Sequence, residues 1–263
     1  MRTADTPVVL TIAGSDSGGG AGIQADLLTF AAHGVFGTTA LTCLTAQNPG
    51  GVTAIEAVPA SFVVEQVRQV DRYFRIRALK TGMLYSAEII AAVAEFLRAH
   101  RRIPAVIDPV MVATSGAVLL RPEALAAIRR QLLPLAAVVT PNLDEVEVLL
   151  GEKPATKAAM IEAGRELART HGVPFLLKGG HLPGGNLTDV LVQPAGSYRS
   201  FSARRVPGVD THGSGCTLSA AIAANLARGL SLGRAVAAAH AYLQRGLKRS
   251  LVVRGRHFIN HRP

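Results

Sequence analysis

Val8-Val9-Leu10-Thr11-Ile12-Ala13-Gly14-Ser15-Asp16-Ser17-Gly18-Gly19-Gly20-Ala21-Gly22-Ile23-Gln24-Ala25-Asp26 reads as strand, glycine loop and helix in one unbroken run. The apolar stretch Val8 to Ala13 stops at Gly14. Ile23, Leu27, Phe30 and Ala31 then recur at helical spacing up to Gly34. Glycines between a strand and a helix let backbone amides approach a ligand, and the helix terminus that follows favours an anion or a polar ring edge. No Gly-Lys-Ser/Thr follows, so this is not a P-loop. Gly20, Gly22 and Ala25 fit a GxGxxA pattern, but no acid lies about 20 residues on to hold a ribose. A surface turn is the structural alternative.

Outward from this unit the same alternation continues. Strands are expected at Phe36 to Thr45, Ala78 to Thr81, Ala105 to Asp108, Ala136 to Thr140 and Pro174 to Lys178. Helices are expected at Phe62 to Phe74, around Ile89 to Leu97, and at Pro122 to Leu133, Asn142 to Leu150 and Met160 to His171. Asp189 to Gln193 and Tyr198 to Ala203 read as a β-hairpin. Gly215 to Arg228 and a stripe of Leu232, Val236, Ala239, Leu243 and Leu247 close the chain as helices. The fold class is therefore α/β, a mostly parallel central sheet with helices on both faces. Ligands of such sheets sit beyond the carboxyl ends of the strands.

Composition narrows the class of function. The chain has 263 residues, 49% hydrophobic and 17% charged, enough to bury a sizeable core. No linker-like segment interrupts it, so residues 1–263 are expected to form one domain. Two cysteines, Cys43 and Cys216, and a start without an apolar signal core point to a reduced, cytoplasmic protein. No apolar run reaches the ~18 residues of a membrane span, so no membrane partner is expected. The net charge is +10, and Asp210 is the last acidic residue. With 5% aromatics and no zinc-finger spacing, the basic C-terminal part reads as a solvated face, and no nucleic-acid partner is expected. The sequence leaves the oligomeric state open, with a homodimer compatible with it.

Three further stretches follow strands and carry chemistry. Thr140-Pro141-Asn142-Leu143-Asp144-Glu145 spells a capping box, which explains Asn142 and Glu145 structurally. The functional alternative is that Asn142 and Glu145, helped by Asp108, hold a hydrated Mg²⁺. Asp210-Thr211-His212-Gly213-Ser214-Gly215-Cys216-Thr217 runs into a helix, so the amides of Gly213, Ser214, Gly215 and Cys216 would converge as an anion hole. A thiol in that first turn would have its pKa lowered by the dipole, making Cys216 a base or nucleophile; a small buried side chain is the plain alternative. Lys178, before Gly179-Gly180-His181, would offset phosphate charge or simply snorkel at the strand end.

These residues, together with Thr45-Ala46-Gln47-Asn48, Lys80-Thr81-Gly82-Met83-Leu84 and Asp108-Pro109-Val110-Met111, resemble the hydroxymethylpyrimidine/phosphomethylpyrimidine kinases. Seven blocks in order span residues 14 to 216. The resemblance implies a ribokinase-like fold and two ATP-dependent phosphorylations of 4-amino-5-hydroxymethyl-2-methylpyrimidine in thiamine biosynthesis. By the same resemblance Gly14, Asp26, Gln47, Met83, Val110 and Cys216 line the substrate pocket. Asp108, Asn142, Lys178 and Asp210 would serve ATP and its phosphates. Glu145, Asp108 and Asn142 would lie at Mg²⁺, and Lys178 with Gly213, Ser214, Gly215 and Cys216 at the transferred phosphoryl group. Gln47 makes independent sense, because its amide offers an acceptor and two donors to the amino group and adjacent nitrogen of an aminopyrimidine. Met83 would be a soft wall for the ring.

Departures are equally plain. Many family members have a lysine where this chain has Thr114, and their Gly-His-Gly-Pro type ending is replaced by Gly255-Arg256-His257-Phe258-Ile259-Asn260-His261. The additional domain fused to some relatives is not expected. Pyridoxal kinase is the alternative on the same fold. A hydrolase using Cys216 with His212, and a non-enzymatic basic binding module, are alternatives of other classes.

Overall fold

The computed structural model describes residues 5–111, 122–180, 182 and 185–263. Nine strands form one sheet: β1 (Val8–Asp16), β2 (Phe36–Asn48), β3 (Gly51–Ala57), β4 (Ile76–Thr81), β5 (Ala105–Ile107), β6 (Val138–Val139), β7 (Phe175–Leu177), β8 (Asn186–Val192) and β9 (Tyr198–Arg204). Their order is β3-β2-β1-β4-β5-β6-β7-β8-β9. The six from β2 to β7 run parallel; β3, β8 and β9 are antiparallel to their neighbours. The chain builds outward from β1 to β3 and then resumes on the other side with β4. A crevice therefore opens where β1 and β4 lie side by side.

The inner strands are short unbroken apolar runs because both faces of the sheet are covered. Leu10 and Ile12 of β1, Ile107 of β5, and Phe175 and Leu177 of β7 pack against α2 (Ala60–Tyr73), α3 (Ala87–Ala99), α4 (Pro122–Ala127), α5 (Leu143–Leu150) and α6 (Lys157–His171). The alternate residues Val9, Val106 and Leu176 face a second core with α1 (Gly22–Ala32), α7 (Ser214–Ala227) and α8 (Leu232–Lys248). The period of two is present, but each face meets an apolar layer and so leaves no polar signature.

Three features differ from the sequence reading. β2 continues to Asn48 and pairs with β3, an exposed edge strand whose Gly51, Thr53 and Glu56 disguise it. The helix expected from Pro122 to Leu133 keeps α-geometry only to Ala127; its last turns widen and then tighten around Pro134, which has no N–H to continue the ladder. After α8 a hairpin forms, β10 (Leu251–Val253) with β11 (Arg256–Phe258). Beyond it the tail returns to the body. Ile259 is buried, Tyr242 donates its hydroxyl to the His261 carbonyl at 2.8 Å, and His261 Nε2 lies 3.1 Å from Thr217 Oγ1. The departure at Thr114 and the final residue of the Gly179-Gly180-His181 stretch fall outside the described residues. Among the described residues no helix is long and apolar enough to cross a membrane.

Two charges lie inside the crevice floor. Lys80 of β4 and Asp26 of α1 are each 0% exposed, with Nζ 2.9 Å from Oδ2; Thr11 Oγ1 donates to the same oxygen at 2.6 Å. Burial raises the Asp26 pKa against the opposing pull of Lys80. For Lys80, burial would lower the pKa, but the charges of Asp26 and Asp108 with the Asp26 hydrogen bond together outweigh it, so the ammonium is retained. Removing one member of such a pair strands the other. Lys80→Met should therefore lower the unfolding free energy by about 3–5 kcal/mol, and Lys80→Met with Asp26→Leu should recover part of that loss. Urea unfolding of both variants checks this; a double variant no more stable than the single would show that the stranded charge is not the cause.

Candidate active site

The carboxyl ends of the parallel strands deliver, in sheet order, Gln47, Asp16, Met83, Asp108, Asn142 and Lys178. Asp16 organises the first glycine loop. Its Oδ1 accepts the Gly18 amide at 2.8 Å, and its Oδ2 accepts those of Gly20 at 3.2 Å and Ala21 at 2.9 Å. His212 Nε2 lies 3.0 Å from Oδ2. Burial works to raise the Asp16 pKa, but the bonds from His212 and the loop amides outweigh it and hold the carboxyl below its ordinary value. The bond to Asp16 raises that of His212.

The second glycine loop packs directly on the first. Gly213 caps α7 in the left-handed region, φ +79°, and a Cβ there would stand 1.8 Å from the Gly20 carbonyl oxygen, so no other residue fits. Helix α7 has no side-chain cap; its Ser214 amide donates to the Thr211 carbonyl at 3.0 Å, and those of Gly215 and Cys216 remain available to an anion. A Cβ on Gly215 would lie 3.1 Å from Lys178 Nζ and 3.6 Å from Asp108 Oδ2, so a glycine keeps this cradle open.

Lys178 Nζ donates to Asp108 Oδ1 at 2.9 Å, Thr140 Oγ1 donates to the same oxygen at 3.1 Å, and Ser219 Oγ lies 3.3 Å from Oδ2, its one hydrogen shared with the nearer Gly215 carbonyl at 2.9 Å. Burial tends to raise the Asp108 pKa, but Lys178 and Lys80 outweigh it and keep the group ionised. Asn142 and Glu145 form the complete capping box: the Asn142 amide donates to Glu145 Oε2 at 2.7 Å, and the Glu145 amide donates to Asn142 Oδ1 at 2.8 Å. Burial pushes the Glu145 carboxyl up to about 7; Lys178 opposes this, and the Asp108 charge adds to it.

The sequence expectations fare unevenly. Cys216 does not have a lowered pKa: burial of the thiol, with the charges of Asp26 and Asp108, outweighs Lys80 and the Gly22 amide and pushes it up to about 11. Its proposed hydrolase partner His212 is instead held by Asp16 and Gln47. Asp26 has no exposed surface and reaches Lys80 rather than the open crevice, although its Oδ1 has no hydrogen-bond partner. Asp210 braces the second loop, its Oδ1 accepting the His212 amide at 2.9 Å. Met83 and Val110 are half-buried at the strand ends, and Gly14 is buried against Cys43. Among the described residues no three His, Cys, Asp or Glu side chains cluster as a metal cage, and the oxygen of Asn142 serves the helix cap.

The sequence reading gave no role to Asp16, Lys80, Thr140 or Ser219. A lysine inside the apolar run Ala78 to Thr81 was the available signal for Lys80. A groove of about 760 Å³ bordered by Lys153, Glu162, Arg165 and Arg169 lies along α6 and shares no residue with this site.

Glu145 supplies a pH test. Its folded pKa, about 7, exceeds the ordinary 4.5, so its contribution to stability is fully present below pH 4.5 and is lost as pH rises through about 7. Glu145→Gln keeps a capping acceptor and does not titrate. The stability of the variant relative to the parent should therefore rise by on the order of 3 kcal/mol between pH 4.5 and 8. Denaturant titrations across that range check it, and a pH-independent difference would mean that Glu145 ionises as an ordinary carboxyl.

Comparison with known proteins identifies the family. Residues 16–260 match the family model described as phosphomethylpyrimidine kinase. A hydroxymethylpyrimidine/phosphomethylpyrimidine kinase of Rhizobium meliloti is 48% identical over 260 residues, covering 97% of each chain. A crystal structure of a phosphomethylpyrimidine kinase from Clostridium difficile superposes with a TM-score of 0.81 at 39% identity, over 91% of this chain and 99% of that one. The ADP complex of Bacillus subtilis pyridoxal kinase gives a TM-score of 0.90 at 35% identity, over 98% of both chains. The chain belongs to the phosphomethylpyrimidine kinase family.

Proposed function

We propose that the chain transfers the γ-phosphoryl group of ATP to the hydroxyl of 4-amino-5-hydroxymethyl-2-methylpyrimidine, and then phosphorylates the monophosphate to the diphosphate. The observation that carries this reading is the open cradle at Gly215, where the uncapped start of α7 meets the Lys178–Asp108 pair. Chemistry there is chiefly positioning and charge stabilisation. The α7 amides and Lys178 would hold the transferred phosphoryl oxygens. Gln47, Met83 and Val110 would hold the ring, and the unpartnered Oδ1 of Asp26 supports a substrate contact reached by a small local opening.

The residues fit Mg²⁺ only in the manner of a hydrated ion. Asp108 stays ionised beside Lys178, and Glu145 can ionise near pH 7, with the remaining coordination left to water and phosphate. Mg²⁺ there would neutralise charge on the phosphate oxygens. Asn142 would act through the helix cap that places Glu145. Glu145→Gln should thus lower turnover and raise the Mg²⁺ concentration required, while the cap survives.

Incubation with ATP, Mg²⁺ and the pyrimidine alcohol, with both phosphorylated products resolved, tests the reading; failure to form either product removes it. The likeness to pyridoxal kinase keeps pyridoxal as the second reading. Diphosphate formation separates them, since pyridoxal has no corresponding second step.

With its thiol at about 11, Cys216 is not a standing thiolate at neutral pH. Cys216→Ala should slow both phosphorylations to a similar extent, by less than about tenfold, because the residue shapes the pocket in each. Single-turnover assays of the two steps decide this: a first step slowed 100-fold more than the second would restore Cys216 as the base for the neutral alcohol.

A further inference from the structure

The hydrogens around Gln47 can be assigned from their partners. The two ends of its amide lie 3.1 Å from Thr45 Oγ1 and 3.1 Å from His212 Nε2. Thr45 has one hydroxyl hydrogen, and the Ser15 carbonyl, 2.8 Å away, can only accept it. The Thr45 oxygen is thus left to accept, and the amide end facing it must be the NH₂. The opposite end, facing His212, is then the oxygen, so His212 Nε2 must carry a hydrogen.

Asp16 reaches the same conclusion independently. Its Oδ2, a carboxylate oxygen already accepting two loop amides, lies 3.0 Å from His212 Nε2 and requires a donor there. With its oxygen at the Thr45 end, the amide would ask the Thr45 hydrogen to serve two acceptors and one ring nitrogen to donate and accept at once. Turning the amide over removes both conflicts and leaves one shared hydrogen, that of His212 Nε2, between Asp16 Oδ2 at 3.0 Å and the amide oxygen at 3.1 Å; the two orientations have the same shape. The imidazole cannot turn freely, since a Cβ on Gly20 would lie 2.9 Å from its Cδ2 and its own amide is held by Asp210.

We propose that His212 is a specificity-determining positioning residue, whose Nε2–H, anchored on Asp16, fixes the Gln47 amide with its oxygen toward His212 and its NH₂ toward Thr45. One lone pair and one N–H remain. Side by side, they match a ring edge that offers an amino hydrogen beside a nitrogen lone pair. The reversed edge, a carbonyl beside a ring N–H, meets acceptor with acceptor and donor with donor. His212 therefore selects the 4-amino substrate over its 4-oxo analogue without touching either. This assignment rests on the pyrimidine reading above and adds the group that enforces it.

The test has two arms. Without substrate, NMR of the full chain should show the Nε2–H form of His212 and contacts from the Gln47 amide hydrogens to Thr45; contacts to the His212 ring instead would overturn the assignment. With ATP and Mg²⁺, the parent should favour the amino alcohol over 5-hydroxymethyl-2-methylpyrimidin-4-one by about 100-fold or more in kcat/KM. His212→Leu frees the amide and should reduce that ratio at least tenfold, mainly through KM. Thr45→Val, on β2 and away from the phosphate loop, should reduce it in the same sense, and His212→Gln, which can present an N–H to the same oxygens, should restore part of it. Equal losses for both substrates with an unchanged ratio would make His212 merely structural and overturn the proposal. If the parent phosphorylates neither pyrimidine, the functional reading fails and the specificity assignment fails with it, whereas the first arm still reports the amide orientation.

Discussion

Four hydrogen-bonding groups converge on one carboxylate. Asp16, at the last position of β1, gathers three amides of the first glycine loop and the His212 ring of the second. Glycine loops have high conformational entropy and few side chains with which to lose it. Here one charged acceptor, nearly buried and held ionised, supplies the enthalpy that orders both. Because charge-assisted bonds to backbone amides are among the stronger ones available, the arrangement needs no large apolar contact at the crevice. The pocket can remain polar while the sheet beneath it carries the stability.

Under those loops the charges alternate in sign across the strand ends: Asp26, Lys80, Asp108, Lys178 and Glu145. Each buried carboxylate faces an ammonium, which offsets the desolvation that would otherwise neutralise it. For Asp26 and Glu145 the compensation is incomplete, and burial still raises both. A site built this way favours a ligand of mixed charge. Phosphate oxygens find Lys178 and the α7 amides, and a cation finds the two carboxyl groups on either side of the lysine.

Much of this was legible in the sequence because the relevant signals are local. Gly14 to Asp26 specify strand, loop and helix within a single window, and Asn142 with Glu145 specify their cap at a spacing of three. What escaped depends on contacts between distant residues. The lowered pKa expected for Cys216 follows from the helix terminus alone, whereas burial, with the charges of Asp26 and Asp108, raises it against the pull of Lys80. Asp26 looks like a ligand contact in the linear motif, yet its partner Lys80 lies 54 residues away. β3 was missed because an exposed edge strand is not required to be apolar, and the terminal hairpin because its register depends on the body it returns to.

The docking of the tail has a consequence for the order in which the molecule is made. Thr217 donates its hydroxyl to the Gly213 carbonyl, so the hydrogen between Thr217 and His261 must come from the imidazole. The first turn of α7 is thus braced by a residue 44 positions further along the chain. Chains grow from the amino terminus and fold as they emerge. The strands from β1 to β9 can be paired while α8 and the tail are still being synthesised, but the phosphate loop lacks its last brace until residue 261 is free to reach it. A chain whose residue 261 has not yet emerged would thus hold a formed sheet beneath a phosphate loop that is not fully braced.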